Sequence, residues 1–171
     1  MKKILIIGCA GAGKSTLANH VGKILTLPVV HLDKEFWKPG WIMPSRDEWL
    51  ARLSSLMKND GWILDGNFDS SLAIRVEAAD TVVFLDFPLH ICLWRVLKRR
   101  LKYKNTHRPD MTPGCNEQLD LEFLKWILRF NRDSAPNIRL CLEKNRFKKQ
   151  IVTLNNPREV SQFITRIQEP K

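Results

Sequence analysis

The sequence predicts a three-layer α/β/α fold, a five-stranded parallel sheet with helices on both faces. Three observations predict it. Short apolar runs alternate along the chain with stretches of helical periodicity, the pattern of parallel strands joined by crossover helices. The runs are nearly continuous in apolar residues, as strands covered on both faces are. The first of them ends in a glycine-rich turn that opens directly into a helix.

Taken in order, residues 3–7 (Lys-Ile-Leu-Ile-Ile) are the first strand, stopped by Gly8. Leu17, Ala18, Val21, Ile24 and Leu25 then recur at helical spacing, and Pro28 closes that helix. Residues 28–33 (Pro-Val-Val-His-Leu-Asp) read as the second strand. Ser45 and Glu48 have the spacing of a capping box, opening a helix that buries Trp49, Leu50, Leu53, Leu56 and Met57. Asp60-Gly61 ends it, and residues 62–65 (Trp-Ile-Leu-Asp) are the third strand. Residues 81–86 (Thr-Val-Val-Phe-Leu-Asp) are the strongest strand, β-branched and bounded by Asp80 and Pro88. A helix from Asn116 to about Arg132 is apolar on two sides and is expected to be buried on both. Residues 148–154 make the fifth strand, and Val160, Phe163, Ile164 and Ile167 define the closing helix.

With 171 residues, 44% hydrophobic and 27% charged, the chain reads as one globular domain, residues 1–171. That composition excludes disordered, collagen-like and disulfide-scaffold classes. Cys9, Cys92, Cys115 and Cys141 lie too far apart for a CxxC motif, and free thiols suit a reducing compartment. Only four apolar residues follow Met1-Lys2-Lys3 before Gly8, and no run approaches a membrane span. The expectation is a cytoplasmic protein with no membrane partner.

Parallel sheets of this kind bind ligands at the carboxyl ends of their strands. The residues expected there are Gly8, Asp33, Asp65 and Asp86. Gly8-Cys-Ala-Gly11-Ala-Gly13-Lys14-Ser15 matches the phosphate-binding pattern G-x-x-x-x-G-K-[ST]. Glycines let the backbone turn sharply and bring its amides close to phosphate oxygens, and the helix opening at Gly13 aims its positive end at the same anion. The nucleotide-binding set is therefore Gly8, Gly11, Ala12, Gly13, Lys14, Ser15 and Thr16. Lys14 reaches the β- and γ-phosphates, and the Ser15 hydroxyl ligates magnesium. The expected cofactors are ATP and Mg2+.

No glutamate follows a strand-end aspartate to activate water, since Asp65 precedes Gly66 and Asp86 precedes Phe87; no N/T-K-x-D guanine motif occurs either. A phosphotransferase, which excludes water, fits better than a hydrolase. The charge balance agrees. Lys plus Arg number 28 against 18 acids, a net charge of +10, and the stretch 87–109 holds seven bases and no acid. Arg95, Lys98, Arg99 and Lys102 share one helix face, running into a polar, proline-bearing stretch expected to act as a lid at about 100–118. Such a strip serves either transferring phosphate or a nucleic-acid backbone. Phe36, Trp37 and Trp41, in the loop after the second strand, are candidates for stacking on an acceptor. His20, His31, His90 and His107 share no metal-ligand spacing and read as structural.

The glycine-rich run, residues 31–41 (His-Leu-Asp-Lys-Glu-Phe-Trp-Lys-Pro-Gly-Trp), 63–67 (Ile-Leu-Asp-Gly-Asn) and 84–88 (Phe-Leu-Asp-Phe-Pro) together resemble the bacterial DNA topology modulation (FlaR-related) proteins. So do residues 93–100, 108–111 and 124–126. That family is similar to adenylate kinase and belongs with the small P-loop kinases. The resemblance implies a P-loop NTPase fold with strand order 2-3-1-4-5 and a helical lid. It also implies an ATP-dependent kinase acting on a nucleoside, a nucleotide or another small molecule. Asp65 would support magnesium through water, Arg95 and Arg99 would be the arginine pair opening the lid, and Asp33 would be aimed at the acceptor hydroxyl. The catalytic set is Lys14, Arg95, Arg99 and Asp33, with Asp33, Phe36, Trp37 and Asn67 at the acceptor. Asn67-Phe68 stands where adenylate kinase has the arginine that grips an acceptor monophosphate. Arg129 and Arg132 lie where later lid arginines occur. The alternative is a nucleotide-regulated nucleic-acid-binding protein influencing DNA topology, and the chain is expected as a monomer or homodimer.

Overall fold

The apolar runs form the strands of one parallel sheet in the computed structural model, which describes residues 1–103, 110–115 and 120–169. These are β1 (Lys3–Gly8), β2 (Val29–His31), β3 (Trp62–Asp65), β4 (Thr81–Leu85) and β5 (Gln150–Leu154), in the order β2-β3-β1-β4-β5. Ile4 to Ile7, Trp62 to Leu64, Val82 and Val83 are fully buried, as expected of central strands covered on both faces. The edge strands β2 and β5 are only partly covered.

Helices α1 (Lys14–Leu25), α2 (Leu32–Phe36), α3 (Arg46–Met57), α4 (Leu72–Ala78), α5 (Leu89–Lys102), α6 (Leu121–Asp133), α7 (Ala135–Asn145) and α8 (Pro157–Gln168) connect and cover the strands. α1 packs on α8, and α7 packs on both α4 and α6. The capping box forms as read: Glu48 N–H donates to Ser45 Oγ at 3.2 Å, and Ser45 N–H donates to Glu48 Oε2 at 2.9 Å.

Two local expectations change. The second strand ends at His31 rather than Asp33, because Leu32 turns the chain into α2 and buries itself completely. α6 is buried on one side only: Ile127 and Phe130 are covered, while Leu121 and Leu128 are exposed. Its apolar periodicity is wider than the face the sheet can cover. The expected lid at about 100–118 falls partly outside the described residues.

Register brings the site together. His31 is the cross-strand neighbour of Asp65, Asp65 of Ile6, and Gly8 of Leu85. All four strand ends therefore open on one edge of the sheet.

Candidate active site

The loop between β1 and α1 has the geometry of an anion cradle. Gly11 and Gly13 have φ of 79° and 101°, conformations that side-chain-bearing residues rarely adopt. A Cβ at Gly11 would also run into the Cys92 carbonyl of α5, so the loop lies directly on that helix. Gly13 is the N-cap of α1 and no side chain caps the helix, which leaves its first amides for a ligand. Lys14 Nζ donates to the Cys9 carbonyl at 3.1 Å, folded along the loop at the mouth of the cradle. Arg95 Nη1 donates to the Ala12 carbonyl at 3.0 Å, and its guanidinium lies over the Phe87 ring, 5.2 Å from the centroid. Arg95 is thus tied to the phosphate loop from α5.

The cradle opens into a cavity of about 1390 Å³. Gly11 to Thr16, Arg95 and Arg99 line one part of it. His31, Asp33, Trp37, Trp41, Asn67, Phe68, Asp110, Met111, Phe123 and Trp126 line another. The size suits two substrates bound side by side rather than one.

Asp65 is buried beneath this floor and holds His31, Nδ1 to Oδ2 at 2.8 Å. Burial works against a charged imidazole, but the bond and charge of Asp65, with Asp110 and Asp33 nearby, outweigh it and raise the His31 pKa. A group raised above its unfolded value lends stability that is complete below the unfolded value and lost as pH rises through the native one. In nucleotide-free and metal-free protein, urea unfolding of wild type and His31→Gln should therefore differ more at about pH 5.5 than at about pH 9. A difference independent of pH would mean the imidazole does not gain its proton in the folded state.

Magnesium would meet the Ser15 hydroxyl in the first turn of α1 and, through water, Asp65. Asp65 commits one oxygen to His31 and does not itself line the cavity. Among the described residues no group of three or more His, Cys, Asp or Glu side chains is placed to hold a metal.

A buried arginine holds the loop that follows β3. Arg75 of α4 is fully buried and donates to the carbonyls of Gly66 at 2.9 Å and Phe68 at 2.6 Å, and to Ser71 Oγ at 3.2 Å. Burial lowers its pKa to about 10, against the pull of Asp69, so it stays charged at neutral pH. It fixes the loop carrying Asn67 and Phe68. Arg75→Met would keep the bulk and strand those carbonyls, so we expect about 2–4 kcal/mol of destabilisation, read by denaturant unfolding.

The predicted residues are placed as follows. Lys14, Ser15, Thr16, Asp33, Trp37, Asn67, Arg95 and Arg99 line the cavity. Phe36 does not; it packs among Trp37, Trp49 and Phe68, with ring centroids 5.0, 5.0 and 4.7 Å away. Asp86 is engaged by Arg139 of α7, Nη2 to Oδ2 at 2.8 Å, and stays outside the lining. Arg132 pairs with Asp133, and neither Arg129 nor Arg132 lines the cavity. Lys104 and Arg108 of the basic strip lie outside the described residues. His31, Phe68, Met111 and Trp126 are lining residues that the sequence reading did not assign to the site.

No family model matches the chain, and no curated protein does. Solved structures do resemble it. Shikimate kinase from Acinetobacter baumannii in complex with shikimate superposes with a TM-score of 0.60 at 18% identity, over 98% of this chain and 90% of that one. Deoxyadenosine kinase from M. mycoides with bound dATP gives 0.54 at 14% identity, over 99% and 100% of the two chains. Shikimate kinase from Bacteroides thetaiotaomicron gives 0.50 at 19%, over 96% and 95%. The chain has the fold of these small P-loop kinases. The expected strand order 2-3-1-4-5 is borne out with it. Among the described residues no helix is long and apolar enough to cross a membrane.

Proposed function

We propose that the chain is an ATP- and magnesium-dependent kinase that phosphorylates a hydroxyl group of a nucleoside, a nucleotide or another small molecule. The observation that carries the reading is the single cavity in which a phosphate cradle, two arginines and a carboxylate meet. The kinase folds that resemble the chain support it.

The amides of residues 11–16 and Lys14 hold the β- and γ-phosphates of ATP. Magnesium, when bound, neutralises phosphate charge beside Ser15 and Asp65. Asp33 orients the acceptor hydroxyl, whose oxygen forms the new bond to the γ-phosphorus. The bond from that phosphorus to the β,γ-bridging oxygen breaks, ADP leaves, and the hydroxyl proton passes to Asp33. Arg95 and Arg99 meet charge on the equatorial oxygens as they spread in the transition state. Asp65, buried against His31, supports the site from below.

Membership in the DNA topology modulation family is part of the proposal and rests on the motifs given above. The four thiols are free, which supports work in the cytoplasm. A nucleic-acid role has less support, because Arg95 and Arg99 face the cavity and only Lys98 and Lys102 of their helix face are exposed. The deciding experiment is an ADP-release screen with ATP and magnesium against nucleosides, nucleoside monophosphates and small hydroxy compounds. Release that none of these acceptors stimulates would count against the kinase reading.

A further inference from the structure

We propose, resting on that kinase reading, that Thr112 is a positioning residue: its hydroxyl clasps the segment 110–115 to the loop after β2 and so sets Trp37 and Asp33 for the acceptor. Thr112 does not line the cavity; it acts through residues that do. Its segment belongs to the stretch expected to act as a lid, so the clasp ties that stretch to the acceptor side.

α2 is five residues long, little more than one turn, and its last carbonyls have no helical donor ahead of them. Asp33 lies in its first turn and Trp37 at its C-cap, where Trp37 N–H donates to the Asp33 carbonyl at 3.2 Å. The open carbonyls are met from far along the chain. Thr112 Oγ1 donates to the Lys34 carbonyl at 2.9 Å and to the Trp37 carbonyl at 2.7 Å, one proton shared between two acceptors. Cys115 Sγ donates to the Lys38 carbonyl at 3.3 Å, and Gly40 N–H donates back to the Gly114 carbonyl at 3.3 Å.

The two sides fit closely. Met111 and Cys115 are buried on either side of the threonine. Gly114 has a φ of 86°, and a Cβ there would press on Pro39 Cβ at 3.3 Å, so a larger residue would lift the segment away. What the clasp holds is an aromatic corner of the cavity. Trp37 and Trp41 both line it and touch edge to face, with centroids 5.2 Å apart. Trp41 has a φ of 63°, in a turn where Lys38 N–H donates to the Ile42 carbonyl at 3.0 Å. A residue with a side chain keeps that conformation only where its surroundings hold it, and the bond from Gly40 to Gly114 is the neighbouring hold.

A threonine that only staples the fold and one that positions the acceptor loop differ in where their loss is felt. Without the hydroxyl, two carbonyls at the end of α2 lose their donor. The freed turn is the one that carries Trp37 and follows Asp33. The phosphate loop stands on β1 and α1, and none of its residues takes part in the clasp. The defect should therefore fall on the acceptor and spare ATP.

The test compares Thr112→Val, which keeps the shape without the hydroxyl, with Thr112→Ser, which keeps the hydroxyl. Amide hydrogen exchange of the full chain, read by NMR, should show Trp37, Lys38 and Gly40 exchanging about fivefold faster or more in Thr112→Val. Thr112→Ser should stay within about twofold of wild type, and the amides of β1 should keep their rates in both. Gly114→Val should give the Thr112→Val pattern from the other side of the clasp, and it decides the matter if Thr112→Val does not fold. ADP release is then measured with the best acceptor among adenosine, deoxyadenosine, thymidine, AMP and shikimate. Thr112→Val should raise the acceptor KM about fivefold or more and leave the ATP KM within about twofold, with Thr112→Ser restoring the acceptor KM. Unchanged exchange at the three amides overturns the proposal, as does acceleration spread equally over β1. If an acceptor is found and its KM does not move, the kinase reading stands and the role of Thr112 alone falls. If no probe stimulates ADP release, the kinase reading falls and the positioning role falls with it.

Discussion

Lys14→Ala should abolish tight ATP binding and leave the fold intact. Lys14 is the cation at the mouth of the cradle, and among the described residues it donates to a loop carbonyl, Cys9, at 3.1 Å. With ATP present the ammonium would exchange that carbonyl for phosphate oxygens carrying full charge. Truncating one member of such a desolvated charge pair costs about 2–5 kcal/mol, or roughly 30-fold to several thousand-fold in Kd. The fold should tolerate the change because the side chain is half-exposed and its carbonyl partner can turn to water in an open cavity. Titration with a fluorescent ATP analogue gives the affinity, and thermal unfolding gives the fold. A folded variant with unaltered affinity would remove the basis for the phosphate-loop reading.

The phosphate half was legible because its chemistry is local. Glycines at fixed offsets, a lysine and a serine are read directly, and Gly11 and Gly13 take the left-handed conformations that the motif requires. The central strands were legible because complete burial makes them continuous apolar runs. The acceptor half depends on register and on contacts between distant segments. His31 alone reads as a packed histidine; only the pairing of β2 with β3 sets it beside Asp65. Arg75 looks like a surface residue of a short helix, and nothing local says that it turns inward to hold Gly66 and Phe68. Asp33 was expected on a strand end and lies in the first turn of α2, since three residues of edge strand carry little periodicity. Asp86 looked equivalent to Asp65 in sequence, yet Arg139, fifty-three residues later, holds it out of the cavity.

Arg99→Ala separates the two readings of the basic strip. Arg99 follows Arg95 by one turn of α5, and both line the cavity beside the phosphate loop. If Arg99 serves phosphoryl transfer, its charge counts most when the equatorial oxygens of the moving group are most demanding. The variant should then lose roughly 10²-fold or more in kcat, with a smaller change in ATP affinity. Arg99→Lys should recover only part of the loss, because an ammonium cannot reproduce the two-pronged guanidinium contact. Lys98→Ala offers the control, since Lys98 is exposed and does not line the cavity, and turnover should hold. If the strip instead grips a nucleic-acid backbone, Arg99 and Lys98 become interchangeable phosphate contacts. Each substitution would then lower the salt slope of DNA binding by about one and leave ATP turnover intact. Steady-state kinetics and a DNA-binding salt series on the same variants distinguish the outcomes. The position of Arg99 on the cavity wall makes the kinetic defect, confined to Arg99, the expected result.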